Sequence, residues 1–131
     1  MGSGFLRGAL DGLKRRVLAG ARESLAEAVV AVCEDLVGSG LIPFESGHLQ
    51  NSATYVDAGR LGQGRVAVVS DTVYARRKFF NPEFDFDQSV NKRAGGRWFD
   101  VYLNGARSEL VFEEFAGGMK ERVKRMKGVR L

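Results

Sequence analysis

Apolar residues recur along the first third of the chain at Leu6, Leu10, Leu13, Val17, Ala21, Leu25, Ala28, Val32 and Leu36. Steps of three and four place them on one face of a helix. Residues 5–37 are therefore predicted to form one long amphipathic helix, with Lys14, Arg15, Arg22, Glu23 and Glu27 mostly off the apolar stripe. Gly8, Gly12 and Gly20 weaken its first half, each by about 1 kcal/mol relative to alanine. Its front is expected to fray unless a partner holds it. Gly38, Ser39 and Gly40 supply the stop.

Beyond the helix the pattern changes. Residues 41–52 are predicted as a structured loop punctuated by Pro43 and Gly47. Residues 53–57 suit a short strand, and the β-branched run 65–70 a second, so the two are predicted to pair as a β-hairpin with a long tip. Two strands alone are marginal, and need the long helix across one face or further strands. Asp71 or Thr72 is placed to cap a short helix over 73–80, which Asn81-Pro82 ends. Residues 83–96 are expected to be irregular. A last helical region begins near Gly96 or Arg97, breaks at Asn104-Gly105 and continues over 106–127. Its apolar positions include Trp98, Tyr102, Leu110, Phe115, Met119, Val123 and Met126. The expected class is α+β: a long N-terminal helix, a small antiparallel sheet built on a β-hairpin, a short helix and a C-terminal helical region.

A length of 131 residues gives a single domain over 1–131. No apolar run approaches the roughly 20 residues that span a bilayer, so no membrane partner is expected. The start Met1-Gly2-Ser3-Gly4 lacks the basic and apolar regions of a secretory signal. One cysteine, Cys33, and one histidine, His48, exclude an internal disulfide and a closed zinc site within the chain. Cys33 falls in the apolar pattern of the first helix and is expected in the core.

The net charge of +4 is unevenly spread. Residues 1–22 hold five bases and one acid, residues 117–131 hold six and one, and acids predominate between them. Such polarity suits a subunit packing head to tail against copies of itself, or one placing its ends near phosphate; solvated helix ends explain it equally well.

Candidate chemistry concentrates between Thr72 and Tyr102, where rings, arginines and acids interleave. Arg76, Arg77 and Lys78 stand beside Tyr74, Phe79 and Phe80. Basic and aromatic residues can bind nucleic acid, but they are also the residues enriched in protein interfaces. The acids that follow favour the protein reading. Glu83, Asp85 and Asp87 alternate with Phe84 and Phe86, which in extended chain puts carboxylates on one face and rings on the other. No calcium-loop or nuclease pattern surrounds them. Carboxylates meeting a neighbour's arginines suit the pattern better than a divalent cation. Lys120, Arg122, Lys124, Arg125, Lys127 and Arg130 exceed what a helix C-terminus needs, and are read as contacts to DNA phosphate without sequence readout. Ser46 and His48 are close in sequence, but no nucleophile elbow and no phosphate loop is present. No active site and no cofactor are expected.

Three segments in order resemble the small minor capsid, or head–tail connector (tail-completion), proteins of tailed bacteriophages. P-F-E-S-G-H-L-Q-N-S, residues 43–52, is similar to that family's Pro-x-x-[Ser/Thr]-Gly-x-Leu-x-x-Ser turn into a strand. T-V-Y-A-R-R-K-F-F-N-P-E-F-D-F, residues 72–86, resembles its T-P-Y-A-R-R-x-Y-Y segment, with Val73 in place of the common proline. N-K-R-A-G-G-R-W-F-D, residues 91–100, resembles its N-x-x-A-x-x-x-W-F/D-E run before the final helix. The resemblance implies a structural virion protein and not an enzyme. Such proteins are made in the host cytoplasm and form rings, often sixfold, in the neck between the portal side of the capsid and the tail. Their partners are adjacent neck proteins (stopper or adaptor, tail terminator or tail tube), with non-specific contact to packaged DNA. Within the docking region, residues 43–98, Tyr74, Arg76, Arg77, Phe79, Phe80, Phe84, Phe86 and Trp98 are expected to shape the protein interface. Trp98 and Phe99 also suit the core, since a tryptophan before an amphipathic helix is commonly a packing residue. The tip 58–64 and the loop 81–96 are where ordering on assembly is expected. The basic tail, residues 117–131, faces DNA on this reading. The alternative is a small basic DNA-binding protein without sequence preference.

Overall fold

A computed structural model describes residues 3–44, 48–51 and 53–126. The chain is α+β. Helix α1 spans Ser3–Gly38 in 36 residues, about 54 Å at the standard rise. A helical turn, α2 (His48–Asn51), leads into strand β1 (Thr54–Asp57), and strand β2 (Ala67–Ser70) returns antiparallel to it. Helices α3 (Ala75–Phe80), α4 (Asp100–Leu103) and α5 (Leu110–Arg125) complete the order. The hairpin register pairs Thr54 with Ser70 and Asp57 with Ala67. A 3-10 turn, Leu61–Gln63, shapes the long tip between the strands. The helical turn α2 corrects the expectation of loop throughout 41–52.

The buried line of α1 differs from the predicted stripe. Ala28 and Leu36 are fully buried as expected, but Ser24, Val29 and Cys33 join them, while Leu25 and Val32 are only half-buried. The cause is α5, which crosses the middle of α1 where side chains are small: Gly20 and Ser24 on α1 face Gly118 and Arg122 on α5. Arg122 clamps the crossing. Its Nε donates to Glu23 Oε2 at 3.1 Å, its Nη1 to Ser24 Oγ and to Glu27 Oε2 at 3.0 Å each, and its Nη2 to Glu27 Oε1. That hydrogen bonding holds the Glu27 carboxyl below its ordinary value. Ahead of the crossing, α1 projects outward. Phe5, Leu6 and Leu10 are each about two-thirds exposed.

The core lies at the other end of α1. Leu36, Ile42, Leu49, Ala53, Ala75 and Trp98 form it, with Val68, Phe79, Phe99 and Tyr102 packed around them. A short polar chain runs through this core. Thr54 Oγ1 donates to the Leu49 carbonyl at 2.7 Å, which uses its single proton. Ser70 Oγ, 2.9 Å from Thr54 Oγ1, must therefore donate to it, and in turn accepts the Trp98 indole N–H at 3.2 Å. The hairpin's first pair is thus locked to the tryptophan. Asp35, in the last turns of α1, accepts the Tyr102 hydroxyl at 2.6 Å and pairs with Arg107. Burial first, and then Asp35, push the Tyr102 hydroxyl well above its usual value. Between α4 and α5 only glycine fits at 105, because a Cβ there would stand 2.6 Å from Val101 Cα. Cys33 is buried, and burial pushes its thiol up.

Candidate functional site

Helix α3 carries the surface that the sequence singles out. Its first turn is fixed by Thr72, whose Oγ1 accepts the Ala75 N–H at 2.9 Å. Ala75 is buried, and Phe79, one turn on, leans inward after it. The remaining positions of the helix therefore point out. Val73 is 91% exposed, Tyr74 65% and Phe80 57%. Arg76 and Arg77 are exposed among them. Val73, Arg76, Arg77, Phe80 and Asn81 line an open recess of about 440 Å³.

A second recess, of about 370 Å³, lies between Pro43, Phe44 and residues 84–87. Arg77 borders both, with its guanidinium 5.5 Å from the centre of the Phe84 ring. Phe84 and Phe86 sit together, 6.4 Å between ring centres. Asp85 and Asp87 share the recess with them, so rings and carboxylates are not divided onto opposite faces. Asp87 Oδ1 accepts the Ser89 N–H at 2.9 Å, which lowers its carboxyl from the ordinary value. Among the described residues, no group of three His, Cys, Asp or Glu side chains is placed to hold a metal ion.

The Gly95-Gly96 pair explains how the two halves of the region meet. A Cβ on Gly96 would lie 2.9 Å from the Lys78 carbonyl oxygen and 2.9 Å from Pro82 Cα, so only glycine permits the approach. The next residue, Arg97, takes a left-handed φ of 51°. Its N–H donates to the Phe79 carbonyl at 2.9 Å, satisfying an orphan acceptor at the end of α3. Its guanidinium stands 5.3 Å from the Phe79 ring and 5.8 Å from Phe80, and bonds Asp100 at 2.7 Å. Beneath, Phe79 meets the Trp98 ring edge to face at 5.1 Å. The sequence left Trp98 two roles; at 2% exposure it is a core residue that supports the surface from below. Phe79 is likewise a support, whereas Tyr74, Arg76, Arg77, Phe80 and Phe84 present themselves outward.

Val73 and Arg97 belong to this surface although the sequence reading does not include them. The glycine pair before Arg97 was the available signal, since paired glycines mark close backbone approach. Val73 carries no such mark. What the arrangement offers chemically is apolar area beside fixed guanidinium groups, the combination that dominates protein interfaces, with cation–π pairs orienting the arginines.

The basic segment divides. Lys120, Lys124 and Arg125 are exposed on α5, with Lys124 3.7 Å from Glu121. Arg122 is committed to Glu23, Ser24 and Glu27, so its charge is already matched and it is removed from the set read as phosphate contacts. Lys127 and Arg130 lie outside the described residues, as does Ser46. No described helix is long and apolar enough to cross a membrane. The chain matches no protein-family model, no curated protein and no solved structure.

Proposed function

We propose that this chain is a structural virion protein of a tailed bacteriophage, a ring subunit of the neck that joins the DNA-filled capsid, on its portal side, to the tail. The observation that carries the reading is the outward face of α3. The T-V-Y-A-R-R-K-F-F segment, the part of the chain most similar to the connector family, presents Val73, Tyr74, Arg76, Arg77 and Phe80 around one open recess. A monomer gains nothing from leaving so much apolar area in water, and patches of this kind mark interaction sites. The segregation of bases to the two ends of the chain supports the same reading, since unlike patches meet in a ring closed by rotation.

The experiment is Arg76→Glu combined with Arg77→Glu in the phage. Both side chains are exposed, so folding should be intact by circular dichroism while heads and tails fail to join. If the double variant still joins heads to tails, the docking role of α3 is refuted. A second reading, a DNA-binding protein without sequence preference, draws on exposed Lys120, Lys124 and Arg125. It requires the isolated protein to bind duplex DNA with an affinity that falls steeply with salt.

A further inference from the structure

The projecting front of α1 and an apolar groove elsewhere on the molecule form a complementary pair. The groove, about 630 Å³, runs between α1, α5 and the hairpin tip, and its apolar lining is Leu18, Leu25, Val111, Phe112 and Phe115. Phe112 stands at its rim, 66% exposed. Glu109 and Glu113, both exposed, lie three residues before and one after Phe112, which puts them side by side along the outer edge of α5. The front of α1 has the opposite character. Phe5, Leu6 and Leu10 are exposed, and Arg7 and Lys14, two turns apart on one row, flank them.

We propose that the Phe5, Leu6 and Leu10 face of one copy docks in the groove of a second copy, with Arg7 and Lys14 meeting Glu109 and Glu113. Geometry excludes a copy filling its own groove. Residues 6 and 18 belong to the same unbroken helix, about 18 Å apart along its axis, and the front cannot turn back. The charge match selects this occupant: a basic amphipathic face fits an apolar groove with an acidic edge, as in helix-in-groove recognition. The two patches differ, so the contact is head to tail, and repetition closes a ring or grows a filament. The inference rests on the ring reading above for its biological setting and names the contact between neighbours. It also accounts for how a glycine-weakened front stays helical, since the neighbour's groove would hold it.

The test is mass determination by light scattering during size-exclusion chromatography, on the full-length protein over a range of concentrations. The wild type should run above monomer mass. Leu6→Glu with Leu10→Glu breaks the front and leaves the groove; Phe112→Glu breaks the groove and leaves the front. All three positions are exposed, so both variants should keep wild-type circular dichroism and run as monomers. Mixed one to one, they retain one good front and one good groove between them, and should form a dimer that grows no further. The charge arm is independent. Arg7→Glu with Lys14→Glu should weaken self-association at least tenfold, and mixing with Glu109→Lys and Glu113→Lys should restore it. A monomeric wild type, variants that associate like it, or a mixture that stays monomeric would overturn the proposal. So would a monomer that binds anionic lipid vesicles through Leu6 and Leu10, which would assign the front to a membrane surface. Self-association with no place in a phage particle would uphold this contact and remove the neck reading, so the two fail separately.

Discussion

Replacing Trp98 with alanine separates a supporting residue from a docking residue. Its side chain is 2% exposed and contacts the Phe79 ring edge to face at 5.1 Å, while its N–H reaches Ser70 at 3.2 Å. Truncating a buried tryptophan costs about 3–5 kcal/mol, transfer and cavity terms together. The lost aromatic pair and hydrogen bond, each about 1 kcal/mol, place this site toward the upper end. Domains of this size hold about 5–15 kcal/mol in all, so the variant should be close to unfolding at ambient temperature. A midpoint decrease of about 10–20 °C is expected. Trp98→Phe keeps a ring against Phe79, and Ser70 keeps its bond to Thr54, so the loss should be about 1–3 kcal/mol. Tyr74→Ala, at an exposed position, should stay within about 0.5 kcal/mol of wild type. Urea unfolding followed by far-ultraviolet circular dichroism measures all three without relying on the tryptophan itself. If Trp98→Ala loses less than about 1 kcal/mol yet abolishes assembly, Trp98 is a contact residue and the division between core and surface made here is wrong.

Three further outcomes are expected. The Tyr102 hydroxyl has a raised value in the folded chain, so its contribution is fully present below the unfolded tyrosine value near 10 and is lost as pH rises beyond it; thermal midpoints should fall less steeply above that pH in Tyr102→Phe than in wild type, and parallel slopes would contradict this. Gly96→Ala puts a methyl group against two backbone atoms at 2.9 Å, an overpacking cost of about 1–3 kcal/mol; denaturant midpoints equal to wild type would show that the α3 end relaxes freely. Glu27 has a lowered value through Arg122, so its contribution is present above the unfolded carboxylate range and disappears as pH falls through the folded value; amide exchange in α5 should accelerate on acidification in wild type, and Arg122→Met should already exchange fast at neutral pH.

Much of the fold was legible because local signals agreed with the final packing. Steps of three and four over residues 5–37 lie within the helix Ser3–Gly38, and the break at Asn104-Gly105 separates Asp100–Leu103 from Leu110–Arg125. Both strands of the hairpin occur, each shorter than its apolar run. The buried face of α1 was not legible. Periodicity points to leucines, but the crossing with α5 selects Gly20 and Ser24, since close helix approach needs small side chains and these leave no mark in a hydrophobic pattern. Arg122 escaped for a related reason: its partners Glu23, Ser24 and Glu27 are far away in sequence, so a clamp looked like one more base in a basic run. The candidate surface was found through composition, yet composition cannot tell Phe79 facing in from Phe80 facing out. The buried Ala75, one turn before Phe79, makes that choice.

The central claim, a neck protein present in the virion, is tested most directly by quantitative mass spectrometry of purified phage particles. The account predicts this chain at a few copies per particle, in a fixed ratio to the portal protein as a ring requires. Its absence from particles, with the chain abundant in the infected cells that produced them, would contradict the account.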